Sequence, residues 1–309
     1  MPKPEYEYYC INTPTKLVKE VFGDINVYEQ NAKSLLTKAS GFISAYDFTL
    51  NPYRGCQYGC SYCYAAAFSP TQQKRQNWGD WVVIKANAVD ILSKELARWH
   101  KKHTAPPRIY MSSVTDPYQP IEKQQQLTRQ LLEVMLAYQP ILVIQTRSPM
   151  IIRDLDLLQQ FNYLRINLSI PTGSEVVRKD FEPRSPSIQA RLQTINKLRY
   201  SLATNQQHQI YFAVTITPLL PTLPADKDKF FRQLIAVDRI VLQEFHPSNK
   251  KSLVASTRDD AIALKKKYSW WYDNEAQNCQ QFKQDLQNQL IAWSADVEVV
   301  EGKAGFGYD

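Results

Sequence analysis

Along most of the chain, short runs of apolar residues alternate with longer stretches in which apolar positions recur every three or four residues. The short runs fall at 46–50, 108–114, 141–146, 164–170, 210–217 and 239–245. They are rich in Val, Ile, Leu and aromatic residues and predict buried strands. Between them the spacing predicts helices near 87–103, 124–138, 153–161, 186–203 and 226–237, with Val89, Leu92 and Leu96 marking the apolar face of the first. Strands alternating with amphipathic helices imply parallel pairing through right-handed crossovers, an α/β fold of six βα units counted from the 46–50 strand. Beyond 245 the pattern turns helical, at 258–271 and 275–293, and ends in Gly305-Phe306-Gly307-Tyr308. The expected division is an N-terminal extension or cap at 1–44, which includes a weakly amphipathic stretch around 18–36, a barrel at 45–247, and a helical extension at 248–309 packed on that barrel.

A chain of 309 residues can bury one large core, so two domains are not required. The formal charge of +7 and pI near 9.0 allow an anionic partner without choosing one; the densest basic run, Lys265-Lys266-Lys267, reads as a solvated helix face. No apolar run approaches the roughly 20 residues of a membrane helix, and the first residues lack a basic start with an apolar signal core, so a cytoplasmic protein with no membrane partner is expected. Only nine glycines are present, too few for glycine-rich dinucleotide or P-loop motifs.

Against that background the stretch Asn51-Pro52-Tyr53-Arg54-Gly55-Cys56-Gln57-Tyr58-Gly59-Cys60-Ser61-Tyr62-Cys63-Tyr64 carries the chemistry. It holds three of the five cysteines, in the spacing C-x3-C-x2-C. Thiols this close do not make a sensible disulfide set and point to metal. Structural zinc wants a fourth protein ligand, and no Cys or His pair follows at a usual distance. A 4Fe-4S cluster suits Cys56, Cys60 and Cys63 better, because three thiolates leave one iron open to a non-protein ligand. Cys279 stands alone. Cys10 reads as a small core residue, with a hydrogen-donating thiol as the alternative.

With Tyr62 as the aromatic residue before its third cysteine, the motif resembles that of the radical S-adenosylmethionine (radical SAM) superfamily. The resemblance implies a partial (β/α)6 barrel open on one side, a 4Fe-4S cluster, and S-adenosylmethionine bound to the open iron through its amino and carboxylate groups. It also implies reductive cleavage to a 5'-deoxyadenosyl radical that abstracts hydrogen from a substrate, and an external electron donor. Within the superfamily the chain resembles the spore photoproduct lyase-like branch. The carrying motifs are Asn51 to Cys56, Ser112-Ser113-Val114-Thr115-Asp116-Pro117-Tyr118-Gln119-Pro120-Ile121-Glu122, Thr128-Arg129, Gln145-Thr146-Arg147-Ser148-Pro149, Arg153-Asp154-Leu155-Asp156-Leu157, Phe181-Glu182-Pro183-Arg184-Ser185-Pro186 and Arg191-Leu192. The Asn51 to Gly55 prefix departs from the lyase proper and is typical of its relatives.

Carried onto this sequence, the resemblance implies that Ser112, Ser113, Thr115 and Asp116 meet the amino group of S-adenosylmethionine, although Asp116 also reads as a turn cap. Ser169 and Arg184 suit the ribose and the methionine carboxylate, and Tyr62 lies beside the adenine; for Glu182 and Arg184 a structural ion pair is the competing reading. Val214, Ile216 and Pro218 offer an apolar floor for adenine or simply pack the core, and Lys85, Arg147 and His246 read as polar residues of the barrel rim. The preferred substrate is a ribosomal precursor peptide, as for the related spliceases that excise tyramine at a tyrosine-containing motif. A cap of 44 residues is too short for a leader-binding domain, so a small separate leader-binding protein is expected as partner. The alternative is nucleic-acid lesion repair of the lyase type. It lacks a visible basic stripe interleaved with aromatics, and neither Cys10 nor Cys279 falls on a predicted barrel strand. A bare electron carrier leaves the 112–122 motif unexplained.

Overall fold

The computed structural model describes residues 16–17, 25–202, 209–244 and 259–308; Cys10 and His246 lie outside them. All six expected strands form and stand side by side in chain order. They are β4 (Phe48–Leu50), β7 (Arg108–Met111), β8 (Ile141–Thr146), β9 (Tyr163–Ser169), β10 (Gln209–Ile216) and β11 (Arg239–Leu242), every neighbouring pair parallel. β3 (Leu36–Lys38) adds antiparallel to β4, and β12 (Glu298–Glu301) adds parallel to β11. β3 and β12 are the two ends of the sheet and do not pair, so it stays open as a partial barrel of the α/β class.

Which face of each strand looks where follows from the pleat. Ile109, Met111, Leu142, Ile144, Leu164, Ile166, Leu168, Phe212, Val214, Ile216, Ile240 and Leu242 join the main core with helix residues such as Leu131, Leu132, Ile195 and Phe231. Alternate residues face the other way. Tyr110 and Val143 join a separate cluster with Tyr46, Phe306 and Tyr308, while Arg165, Asn167, Ser169 and Thr215 are buried on the same inner face. α/β-barrel interiors are ordinarily filled with Val, Ile and Leu. This one is polar, crossed by bonds from Tyr110 Oη to Gln145 Oε1 (2.9 Å) and from Gln145 Nε2 to Thr215 Oγ1 (2.7 Å). At its floor the Arg165 guanidinium donates to Tyr46 Oη (2.8 Å) and to the Gly307 carbonyl, and Tyr163 Oη donates to the Tyr308 carbonyl. The pleat also moves Val214 and Ile216 to the helix side, so they pack the core and do not floor a ligand site.

Three elements depart from the sequence reading. Within the 18–36 stretch, β2 (Asn26–Gln30) is a strand in a second sheet ordered β1-β2-β6-β5, with β1 (Lys16–Leu17), β5 (Tyr53–Arg54) and β6 (Trp81–Lys85). Its apolar positions are too few for a period-two pattern to show. β12 lies inside the extension expected to be helical, and its Val299 and Val300 are shared out between the two faces of one short edge strand. The strand expected over 108–114 stops at Met111, because Ser112 has φ +74°, a left-handed conformation that cannot continue a strand.

Candidate active site

β4 delivers the chain to the mouth of the barrel, and β5 then hands it to the small sheet before the cysteines begin. Gly55 makes this possible. Its φ is +82°, and a Cβ there would sit 2.5 Å from the Trp81 carbonyl. The cysteine loop is then pinned on two sides. From the 112–122 segment, Thr115 Oγ1 donates to the Gly55 carbonyl (2.6 Å), Gln119 Oε1 accepts from Gln57 N (2.9 Å), and Gln57 Oε1 accepts from Ile121 N (2.6 Å). From the segment after β9, the Phe181 carbonyl accepts from Ser61 N (2.9 Å). The 112–122 motif is therefore in large part a clamp for the cysteine loop.

Cys56 and Cys60 are buried and Cys63 is partly exposed. Burial pushes the Cys60 thiol up to about 12 against the pull of Arg147, and raises Cys56 well above its ordinary range, with Asp116 and the other two thiols adding to it. Such thiols stay protonated until a metal supplies positive charge. Among the described residues no three His, Cys, Asp or Glu side chains converge on a point suited to a single metal ion.

Above the loop lies a buried charge network. Glu182 is fully buried and accepts from Tyr62 Oη, Arg147 Nη1 and Arg191 Nη2. Burial alone would raise its carboxyl; the Arg191 and Arg147 guanidiniums outweigh that and hold it below the usual carboxylate range. Arg147 touches Cys60 Sγ as well (2.6 Å) and lies 3.9 Å from Asp116 Oδ2. Asp116 is saturated by Thr146 Oγ1 (2.7 Å), Tyr118 N (2.9 Å) and Arg147 N (2.9 Å), and burial raises its carboxyl above the ordinary value.

Several of the expected ligand residues also make contacts within the protein. Thr115 and Asp116 brace the loops. Glu182 is the hub of the network, and Tyr62 is tied to it through its hydroxyl. Arg184 is half-exposed and ion-paired with Asp80 (2.7 Å) while donating to the Gly79 carbonyl (2.7 Å). Ser113 accepts from Asn51 Nδ2 (3.4 Å) through its hydroxyl and from Tyr64 Oη through its carbonyl. Ser169 lies at the inner end of β9 with its carbonyl held by Arg191 (2.9 Å). Ser112 is different: it is buried, backbone-strained, and its hydroxyl has no partner. An orphaned hydroxyl at the mouth of the barrel fits a ligand group that the protein itself does not supply.

Sequence reasoning understated Arg147. It is the cation that meets both a cluster thiol and the buried carboxylate, and only tertiary structure brings Cys60, Glu182 and Arg147 together. The motif residues Tyr53, Glu122, Thr128, Arg129, Arg153 and Asp154 form a second buried network below the site: Glu122 accepts from Tyr53 Oη, Thr128 N (3.0 Å) and Arg153 Nη2 (2.7 Å), and Asp154 accepts from Arg129 (3.1 Å) and Arg153 (2.8 Å). Those motifs supply scaffold contacts.

Known proteins fit this geometry. An uncharacterized protein of Methanocaldococcus jannaschii is 36% identical over 176 residues, 57% of this chain and 61% of that protein. One of Mycobacterium tuberculosis is 29% identical over 225 residues, 69% of this chain and 62% of the relative, so the match spans less than two thirds of either relative's length. Among solved structures, a spore photoproduct lyase variant superposes with a TM-score of 0.59 at 16% identity, covering 88% of this chain and 80% of that one. Streptococcus suis SuiB bound to precursor peptide SuiA superposes with a TM-score of 0.53 at 10% identity, covering 82% of this chain and 48% of that one. At such identities these two show a shared fold. The family model of the radical SAM superfamily matches residues 50–204, which takes in the cysteine loop, the clamp and the Glu182 hub, and the chain belongs to that superfamily.

Proposed function

We propose that this chain is a radical-generating enzyme in which Cys56, Cys60 and Cys63 hold the 4Fe-4S cluster and the mouth of the barrel holds S-adenosylmethionine. The observation that carries the reading is the placement of the three cysteines on one loop at that mouth, with the Arg147 guanidinium against Cys60 and the orphaned Ser112 hydroxyl just after β7. When bound there, held by Cys56, Cys60 and Cys63, the cluster would supply the electron for reductive cleavage of S-adenosylmethionine. Ser112 accepts from the ammonium group of S-adenosylmethionine, and Ser169 reaches its ribose. Arg147, not the outward-facing Arg184, meets its carboxylate, because it is the cation already inside the site. Arg191 and Tyr62 keep Glu182 oriented so that Arg147 is held in place. The polar inner face excludes a packed core and leaves hydrogen-bonding groups, Gln145, Asn167 and Thr215, facing what enters.

A substrate-level reading follows from the same frame. A ribosomal precursor peptide undergoing lyase-type, splicease-like excision at a tyrosine-containing motif, with a small leader-binding partner and an external reductant in the cytoplasm, is supported by the fold shared with a peptide-bound enzyme. Nucleic acid is a second reading, supported by the fold shared with a spore photoproduct lyase. No helix of the described residues is long and apolar enough to cross a membrane.

The test is anaerobic reconstitution followed by reduction with S-adenosylmethionine present. Wild-type protein is expected to release 5'-deoxyadenosine and Cys60→Ala to release none; continued release by that variant sinks the assignment. Mass changes in a neighbouring precursor peptide with its partner, against UV-irradiated DNA, separate the two substrates.

A further inference from the structure

The segment that supplies the buried Glu182 carboxylate also supplies, in the turn that follows, a small hydroxyl aimed at a cysteine sulfur. Ser185 is buried, and its Oγ stands 3.9 Å from Cys60 Sγ. Among the described residues that hydroxyl has no other partner. Its backbone is anchored at both ends: the Ser185 amide donates to the Glu182 carbonyl (3.1 Å), and the Ser185 carbonyl accepts from Arg178 Nη1 (2.8 Å). The same Arg178 nitrogen donates to the Glu182 carbonyl (2.8 Å), while Arg178 Nε donates to Glu175 Oε1 (2.7 Å). Arg178 is itself buried. A buried guanidinium and a closed turn therefore fix where this one hydroxyl lies.

Between two neutral groups a contact of that length is weak. Once Cys60 ligates iron, however, its sulfur has lost its proton and can only accept, so the Ser185 hydroxyl becomes the donor of a charge-assisted hydrogen bond. Arg147 Nη1 approaches the same sulfur (2.6 Å), but it also serves Glu182 and, in the reading above, the carboxylate of S-adenosylmethionine. Ser185 has no such competing partner. One-electron reduction adds negative charge that an iron-sulfur cluster shares with its thiolates, so a donor aimed at a thiolate favours the reduced state. Hydrogen bonds to the sulfurs are among the features that set the potential of such clusters.

We propose that Ser185 is a positioning residue that tunes the site's redox potential: by donating to the Cys60 thiolate it raises the reduction potential of the 4Fe-4S cluster and eases its reduction by an external one-electron donor. The step it governs moves one electron from that donor, which is oxidised, to the cluster, which is reduced; no bond is made or broken at Ser185. The proposal rests on the assignment of the cluster to Cys56, Cys60 and Cys63.

Potentiometric titration of the anaerobically reconstituted full chain, with dithionite as reductant, no S-adenosylmethionine, and electron paramagnetic resonance of the reduced cluster as readout, tests it. A hydrogen bond to a charged group changes an equilibrium constant about tenfold or more, and tenfold is about 59 mV for one electron. Ser185→Ala is therefore expected to make the potential more negative by about 59 mV. Ser185→Thr keeps the hydroxyl and is expected to restore most of that shift. Ser185→Cys, a weaker donor of similar size, is expected to lower the potential by less than the alanine variant does. Ser187→Ala removes an exposed hydroxyl from the same loop, one that accepts from Ala190 N (3.2 Å), and is expected to leave the potential unchanged. Iron and sulfide analysis establishes that each variant holds its cluster; if Ser185→Ala does not, Ser185→Cys carries the test. An unchanged or raised potential in the variant that carries the test, no recovery in Ser185→Thr, or an equal fall in Ser187→Ala overturns the proposal. Failure of the reading beneath it looks different: wild-type protein that takes up no iron and sulfide sinks the cluster assignment and this role together, whereas a wild-type cluster indifferent to Ser185 sinks this role alone.

Discussion

Replacing Glu182 by Gln tests the buried network at its hub. The carboxylate is wholly buried and holds two guanidiniums, and Arg191, also wholly buried, has no other carboxylate partner among the described residues. Removing one member of a buried, hydrogen-bonded ion pair costs about 3–5 kcal/mol, because the partner's charge is left uncompensated. At roughly 2–4 °C per kcal/mol for a domain of this size, the melting temperature of the metal-free protein should fall by about 6–20 °C at pH 7. The pH dependence gives a second handle. Arg191 and Arg147 hold the folded-state carboxyl below its ordinary value, so its contribution is complete above the unfolded value. It is lost as pH falls through the depressed folded one. The gap between wild type and Glu182→Gln should therefore be constant above about pH 5 and narrow below it. Thermal unfolding followed by circular dichroism from pH 7 down to pH 3 measures both. A drop under about 2 °C at pH 7, or a gap that does not change with acid, refutes the view that this carboxylate is charged and holds the site together.

Two further outcomes follow from the same geometry. Gly55→Ala places a Cβ against the Trp81 carbonyl at a left-handed φ, so the cysteine loop must shift; iron and sulfide analysis after reconstitution should show a large loss of cluster, while Gly41→Ala, with open space around it, should retain cluster. Ser112→Ala should weaken S-adenosylmethionine binding about tenfold by equilibrium dialysis, the worth of a hydrogen bond to a charged group, without lowering the melting temperature, because no protein partner is lost.

Much of the barrel was readable from the chain because its strands are short apolar runs separated by amphipathic helices, and parallel order then follows from handedness. β2 and β12 were not, since each is a short strand whose identity depends on the neighbour it meets rather than on its own pattern. The three closely spaced cysteines stood out through spacing alone, and two of them are buried on the loop after β5. Arg147 did not, because its significance lies in three contacts made 35 to 87 residues away. Glu182 and Asp116 illustrate the converse. Their residue types suit a cationic ligand, yet their lone pairs are already taken by Arg191, Arg147, Thr146 and backbone amides.

The floor of the barrel bears on how a reactive species survives inside it. Tyr46, Tyr110, Phe306 and Tyr308 close the end remote from the cysteines, and the Gly307 carbonyl is tied to Arg165, a strand residue 142 positions earlier. With that end closed, access is left to the mouth at the cysteine loop and to the side left open between β3 and β12, so a substrate would have to cover both to shut out water and oxygen.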